Sequence, residues 1–330
     1  MNKVTVIGAT SWGNTLGKIL TEKGTTVNIW TRTEARAEEL RREQKEQSSK
    51  TAPPPGITFT NNIEEALQSS EMVIWAIPAQ NLRQNVKQLK ENLTSSMILV
   101  NAAKGLEKVS TKRMTEVITE EVSAAWKRQV CVLSGPNLSQ EISQGLPATS
   151  IIAAQDIEIA QKAQDALQTP DFYVFISDDI IGVELCGALK NVIALGAGIT
   201  DGLGMGDNTK AALITLGWAE AVSIGTALGA KTETFYGLAG LGDIIATCAS
   251  NLSRNHYVGF ELAKGRPLAE VIDSMTNIAE GVDTAIAVHH LASDLGLKVP
   301  LIDIIYKVLY QSLPPVEILA RFKEGLKSSR

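Results

Sequence analysis

The feature that most narrows what this chain can fold into is a change of rhythm near residue 178. Up to that point, short runs rich in β-branched residues alternate with longer segments of helical periodicity. The runs are VTVIG (4–8), TVNIW (26–30), MVIWAI (72–77), MILVNAA (97–103), VCVL (130–133), TSIIAA (149–154) and FYVFIS (172–177). Four to seven nearly continuous apolar residues suit parallel strands buried on both faces. Between them, helical patterns fall at 13–23, 33–46, 61–69, 80–91, 111–124 and 157–168, several opening at Thr or Asn caps. This alternation predicts an α/β, Rossmann-like doubly wound sheet. After Ser177 the strand signals stop, and helices are expected at 179–199, 210–228, 253–264, 268–275, 282–294 and 300–309. The expected organisation is therefore a Rossmann-like sheet domain over residues 1–179 and an all-helical domain over 180–330.

Within the helical half, 13 of the chain's 26 glycines lie between Gly182 and Gly242. A glycine inside a helix costs roughly 1 kcal/mol against alanine, so the cluster points to close helix packing or to backbone approaching a ligand. The polar segment from Gln44 to Gly56, with three prolines, reads as a surface insertion without chemistry.

Charge excludes one class of function. The 330 residues carry 31 Lys+Arg and 36 Asp+Glu, a net charge of −5, with no basic run. A general nucleic-acid binder needs many cations to release counterions from a phosphate backbone, whereas a small anion needs only a few that converge. The three cysteines, Cys131, Cys186 and Cys248, are too widely spaced for a zinc site or a disulfide framework, so no metal is expected. The N-terminus lacks a leader pattern, and the apolar stretch from Gly182 to Met205 is interrupted by Glu184, Lys190, Asn191 and Asp201. A cytoplasmic protein with no membrane span is expected.

The first strand runs into Gly8-Ala9-Thr10-Ser11-Trp12-Gly13 and then a helix. In a dinucleotide-binding turn Gly8 allows the tight bend, Gly13 the close helix contact, and the first helical N–H groups face a pyrophosphate. Thr10 stands where the middle glycine is usual, which holds the backbone further from the phosphates unless its hydroxyl bonds one of them. The other reading is a tight strand-to-helix turn in an α/β protein of different function. At the end of the second strand stands Arg32 rather than an acidic residue. An arginine there pairs with a 2′-phosphate, favouring NADP(H) with NAD(H) possible; the alternative is a solvated loop charge.

Catalytic candidates follow from position. Lys104 follows the strand at 97–103, at the carboxyl edge where open α/β sheets bind ligands, and Gly135-Pro136-Asn137 sits likewise after 130–133. Lys190 is the single cation between Gly182 and Gly206; it either snorkels to the surface or is held in a cleft, where desolvation fits it for general acid/base work. Asp243, closing Gly240-Leu241-Gly242-Asp243, can orient an ammonium, and Arg254 in Ser253-Arg254-Asn255 offers a fork for phosphate.

With these segments in this order, the chain resembles the bacterial-type NAD(P)-dependent glycerol-3-phosphate dehydrogenases over nearly its whole length. The matching segments are the glycine turn, Ala76-Ile77-Pro78-Ala79-Gln80, Lys104-Gly105-Leu106-Glu107, Leu133-Ser134-Gly135-Pro136, Glu184 to Ile193, Gly237 to Asp243, Thr247-Cys248, Ser253-Arg254-Asn255 and Glu280-Gly281-Val282. The resemblance implies reversible reduction of dihydroxyacetone phosphate to sn-glycerol 3-phosphate, which supplies the backbone of phospholipids. It implies Lys190 as general acid/base, with Lys104 and Asp243 beside it. It implies substrate contacts from Lys104, Gly135, Asn137, Lys190, Asp243, Thr247, Ser253, Arg254 and Asn255. Cofactor contacts are implied at Gly8, Thr10, Ser11, Trp12, Gly13, Arg32, Lys104, Ser139, Arg254 and Glu280. Asn137-Leu138-Ser139 departs from the family's more usual Ser-Phe-Ala, as Thr10 does from glycine. The expected partner is a small phosphorylated substrate and not nucleic acid; the oligomeric state is open, a homodimer being possible. The competing expectations are a related two-domain hydroxyacid or ketopantoate dehydrogenase, and a non-catalytic NADP-binding scaffold.

Overall fold

In the computed structural model, residues 1–46, 56–250 and 252–318 are described. Most of the insertion expected at Gln44 to Gly56 lies outside them. The chain divides into two compact units, Met1–Ala103 with Met114–Ile180, and Lys104–Arg113 with Ile181–Arg330. The short segment Lys104–Arg113 thus belongs with the helices, although the strands that flank it in sequence belong to the sheet; reading the first domain as continuous to residue 179 missed this excursion.

The first unit is a sheet flanked by helices. Its elements are β1 (Lys3–Ile7), α1 (Ser11–Glu22), β2 (Thr26–Trp30), α2 (Glu34–Glu46), β3 (Ile57–Thr60), α3 (Ile63–Leu67), β4 (Met72–Trp75), α4 (Leu82–Leu89), β5 (Ile98–Asn101), α5 (Met114–Val122), β6 (Val130–Ser134), α6 (Ser139–Ser143), β7 (Ala148–Ala154), α7 (Ile157–Leu167) and β8 (Phe172–Ser177). The strand order is β3-β2-β1-β4-β5-β6-β7-β8. Val4, Met72 and Ile98 stand in register, as do Val6, Ile74 and Val100, and all six pack into one core. Their neighbours Ile7, Val73, Trp75 and Leu99 pack into a second core on the opposite face. Both faces being covered is why these strands read as unbroken apolar runs rather than alternating ones.

Two features differ from the sequence expectation. The four residues of β3 form an eighth strand, paired in parallel with β2 at the end of the sheet; they are too few to stand out beside a proline-rich segment. β7 runs antiparallel to β6, so the sheet is not wholly parallel. The connection between these strands holds only the five-residue α6, and a parallel return needs a longer crossover. The eleven-residue α7 provides one, and β7 and β8 are parallel.

The second unit is helical: α8 (Ile180–Gly202), α9 (Asp207–Ala227), α10 (Thr232–Tyr236), α11 (Asp243–Ala249), α12 (Arg254–Ala263), α13 (Leu268–Asp273), α14 (Glu280–Asp294) and α15 (Pro300–Tyr310). A π-helical turn, Leu238–Gly242, leads into α11. α8 is long and apolar enough to cross a membrane, but 89% of its most apolar window is buried inside the protein, which is the signature of a core helix.

The glycine cluster proves to be mainly a packing device. A Cβ on Gly198 would lie 2.0 Å from the carbonyl oxygen of His256, and one on Gly259 would lie 2.0 Å from that of Leu195. α8 and α12 therefore meet backbone to backbone, and this close approach sets where the residues at the start of α12 stand relative to Lys190.

Candidate active site

In the sheet unit, the strand order reverses at β1 and β4, the topological switch point where open α/β sheets bind ligands. The turn from β1 into α1 lies there. Gly8 has φ of +108°, and a Cβ would meet Ile77 Cγ2 at 2.5 Å. Gly13 is equally obligatory, since its Cβ would lie 2.0 Å from the Gly8 carbonyl oxygen. Thr10 is the N-cap of α1: its hydroxyl accepts from the Gly13 N–H at 3.0 Å and donates to the Ala76 carbonyl at 2.8 Å. The one hydroxyl proton is thus committed to the end of β4, so the threonine fastens the turn to the neighbouring strand.

Ser11 is exposed at the first helical position. Trp12 packs its ring 6.4 Å from that of Phe172, while its indole nitrogen, like Asn14 Oδ1, is buried without a hydrogen-bond partner among the described residues. Arg32, just past β2, is exposed. A helix N-terminus, a turn whose glycines admit no side chain and an available guanidinium suit a dinucleotide carrying phosphates.

After β6, Gly135 has φ of +144° and its missing Cβ would meet Ser150 Cα at 3.1 Å. The Asn137 amide is engaged by β7 at both ends, donating to Thr149 O at 2.9 Å and accepting from Ser150 Oγ at 3.1 Å. Ser139 opens α6, and its carbonyl accepts weakly from the Thr15 hydroxyl at 3.4 Å.

In the helical unit, three of the expected catalytic residues converge. Asp243, only 1% exposed, receives Lys190 Nζ on Oδ1 and Lys104 Nζ on Oδ2, the latter at 2.7 Å. Lys190, 6% exposed in the interior of α8, also donates to Thr247 Oγ1 at 2.6 Å. Lys190 therefore does not snorkel to the surface. Two ammoniums share one carboxylate, so the cluster carries an excess positive charge where water is scarce. Burial, together with repulsion from Lys190, lowers the Lys104 pKa to about 8, against the opposing pull of Asp243.

Asn255 is buried and occupied: its Oδ1 accepts from Gly281 N at 2.9 Å, and its Nδ2 donates to Asn191 Oδ1 at 2.9 Å. Asn191 in turn donates to the Lys104 carbonyl at 3.0 Å and to Gly187 O at 3.2 Å. This chain of amides ties α14, α12 and α8 to the backbone of Lys104. Asn191 was given no role in the sequence reading; the signal was its place next to Lys190 on an apolar helix, where a buried amide must find partners. Ser253 caps α12 through the His256 N–H at 3.3 Å; Arg254, the first residue of that helix, keeps an exposed face, and partial desolvation lowers its pKa against the opposing pull of the Glu280 carboxylate. Among the described residues no group of His, Cys, Asp or Glu is arranged to hold a metal ion.

Family models described as the N-terminus and C-terminus of NAD-dependent glycerol-3-phosphate dehydrogenase match residues 3–160 and 179–320. The chain is 47% identical over 320 residues to glycerol-3-phosphate dehydrogenase [NAD(P)+] of Dehalococcoides mccartyi, covering 96% of this chain and 89% of that one. It is 42% identical to the same enzyme of Moorella thermoacetica, covering 97% and 95%. The crystal structure of glycerol-3-phosphate dehydrogenase from Coxiella burnetii superposes with a TM-score of 0.91 at 29% identity, covering 98% of each chain. A ketopantoate reductase from Ralstonia eutropha reaches 0.61 at 14% identity over 96% of this chain and 99% of that one, a likeness of fold alone. With both family models matched in order along one chain, and with relatives alike over almost its full length, the protein belongs to the NAD-dependent glycerol-3-phosphate dehydrogenase family.

Proposed function

We propose that this chain reduces dihydroxyacetone phosphate to sn-glycerol 3-phosphate, reversibly, with Lys190 as the general acid at the C2 oxygen. The observation that carries this reading is the pair of ammoniums, Lys190 and Lys104, held on the buried carboxylate of Asp243. When bound, the nicotinamide supplies the hydride to C2. The chain's own residues deal with the charge that then builds on oxygen. Lys190 delivers a proton to it, and Lys104 stabilises the developing alkoxide electrostatically, a contribution that is large where water is excluded. Asp243 and Thr247 hold Lys190 in place, and in the oxidative direction the same lysine takes the proton back. Asp243 balances one of the two positive charges, so that burying both lysines is tolerated.

The substrate phosphate does not react. A fork such as Arg254, with Ser253 and Asn255 around it, binds that group and turns remote binding energy into alignment of the carbonyl. In the sheet unit the turn from Gly8 to Gly13, with Arg32 and Ser139, would hold the dinucleotide. Cytoplasmic location agrees with three buried cysteines that are all free thiols, and a homodimer is the assembly we would test first, by sedimentation velocity.

Lys190→Ala is expected to reduce dihydroxyacetone phosphate turnover by at least about 10³-fold, while NADPH fluorescence titration gives an unchanged dissociation constant. Near-normal turnover in this variant would sink the assignment. Arg32→Ala is expected to raise the KM for NADPH about 10-fold and leave that for NADH within about twofold.

A further inference from the structure

The segment Lys104–Arg113 belongs to the helical unit although both of its ends continue into the sheet unit. Its first residue is Lys104. Its last, Arg113, places a guanidinium nitrogen 2.8 Å from the Glu184 carboxylate on α8, with side-chain exposures of 15% and 4%. The segment is closed on itself. Leu106 and Arg113 pair as an antiparallel bridge, the Glu107 N–H donates to the Lys112 carbonyl at 2.9 Å, and Leu106 is fully buried.

Glu184 and Asn191 are seven residues apart, so they stand about 20° from one another around α8 and two turns apart along it. Asn191 holds the Lys104 carbonyl and Glu184 holds Arg113. Both ends of the segment are thus fastened along one stripe of the helix that also carries Lys190. A further pair, Lys108 with Asp283 on α14 at 3.0 Å, is more exposed and contributes little, as surface ion pairs do.

We propose that Arg113 and Glu184 are positioning residues for the reaction: a buried ion pair that clamps the segment bearing Lys104 onto α8, so that the Lys104 ammonium meets Asp243 beside Lys190. Neither touches the three reacting groups in the pairs described. This rests on the reading of Lys104 as a charge-stabilising group. The physical reason for a buried pair is directional. Replacing either charge with a neutral amide removes the charge-assisted bond that fastens the end of the segment to α8, and a displacement of about 1 Å at a catalytic group costs up to about 10²-fold in rate.

The test uses full-length Arg113→Gln, Glu184→Gln, Arg113→Lys and the exchanged pair Arg113→Glu with Glu184→Arg, with Lys104→Met as reference. Steady-state reduction of dihydroxyacetone phosphate is measured across pH 6 to 10, alongside NADPH dissociation constants and melting curves. In both Gln variants kcat is expected to fall about 10- to 100-fold with NADPH affinity within about twofold. The alkaline limb of kcat should also move upward, because a loosened Lys104 regains water. Arg113→Lys, which keeps the charge but not the fork, should lose about 3- to 10-fold, and the exchanged pair should recover part of the loss seen in the singles. A clamp that served folding alone would lower the melting temperature and leave kcat per folded enzyme and the alkaline limb unchanged, and that result overturns the proposal. Should the Gln variants not fold, unchanged kcat and limb in Arg113→Lys overturn it equally. Full activity in Lys104→Met would instead remove the role assigned to Lys104, a failure of the catalytic reading that this reference reports separately.

Discussion

At the scale of single residues, the proposed chemistry turns on how three charges share a dry place. Lys104 and Lys190 repel one another, and Asp243 makes their proximity tolerable. The consequence is testable through pH. Burial lowers the Lys104 pKa to about 8, so the ammonium proposed to stabilise the alkoxide is present below that pH and lost above it. Reduction of dihydroxyacetone phosphate should therefore decline through an alkaline limb centred near pH 8, and Lys104→Met should abolish that limb while lowering kcat about 10- to 10²-fold. A pH–rate profile of the two proteins checks both. Thr10 shows how an irregular residue earns its place differently from expectation. Its hydroxyl caps α1 and bonds the end of β4, two contacts a glycine cannot make, and the choice was invisible in sequence because the Ala76 carbonyl lies 66 positions away in the chain.

At the scale of elements, capping and close packing decide where site residues stand. α15 has no side-chain cap of its own at Val299. Glu220 on α9 supplies one, accepting from the N–H groups of Leu301 and Ile302 at 2.9 and 3.0 Å. Burial pushes the Glu220 carboxyl up to about 7, against the pull of those two donors, with Asp303 adding to the rise. Between its ordinary range and about 7 the folded protein binds this proton more tightly than the unfolded chain does, so stability from this group falls as pH rises through that window. The excess in melting temperature of the parent over Glu220→Gln should accordingly be larger at pH 5 than at pH 8; a gap that grows with pH would contradict the assignment. Helices such as α1, α4 and α15 were legible by one apolar face, and α8 by its nearly continuous apolar composition. β3 and the direction of β7 were not, since a four-residue strand carries little pattern and strand direction depends on where the chain can return.

For the whole molecule, a net charge of −5 coexists with a local surplus of positive charge. Long-range repulsion of a phosphorylated ligand is mostly screened beyond about 10 Å at 0.1 M salt, so the nearby cations dominate binding. Raising ionic strength from about 0.05 to about 0.5 M should increase the KM for dihydroxyacetone phosphate several-fold and alter kcat little, as initial-rate measurements would show. A falling KM would mean that the overall charge prevails.

The sequence by itself determined the two kinds of architecture, the glycine turn and the residues carrying charge to the site, because periodicity, turn chemistry and residue type are local properties. Lys104, Lys190, Asp243, Thr247, Arg254 and Asn255 were all legible as candidates, in part through their order along the chain. Only the tertiary structure decided which of them touch: that Lys190 is buried rather than snorkelling, that Asn255 is engaged through Asn191, that Arg113 meets Glu184, and that Lys104 belongs with the helices. The physical reason is that a buried charge or amide must find its partner wherever the fold supplies one. Those partners lie 53 to 139 residues away in the chain, as Asp243 does from Lys190 and from Lys104, and no local pattern encodes a pairing at that distance.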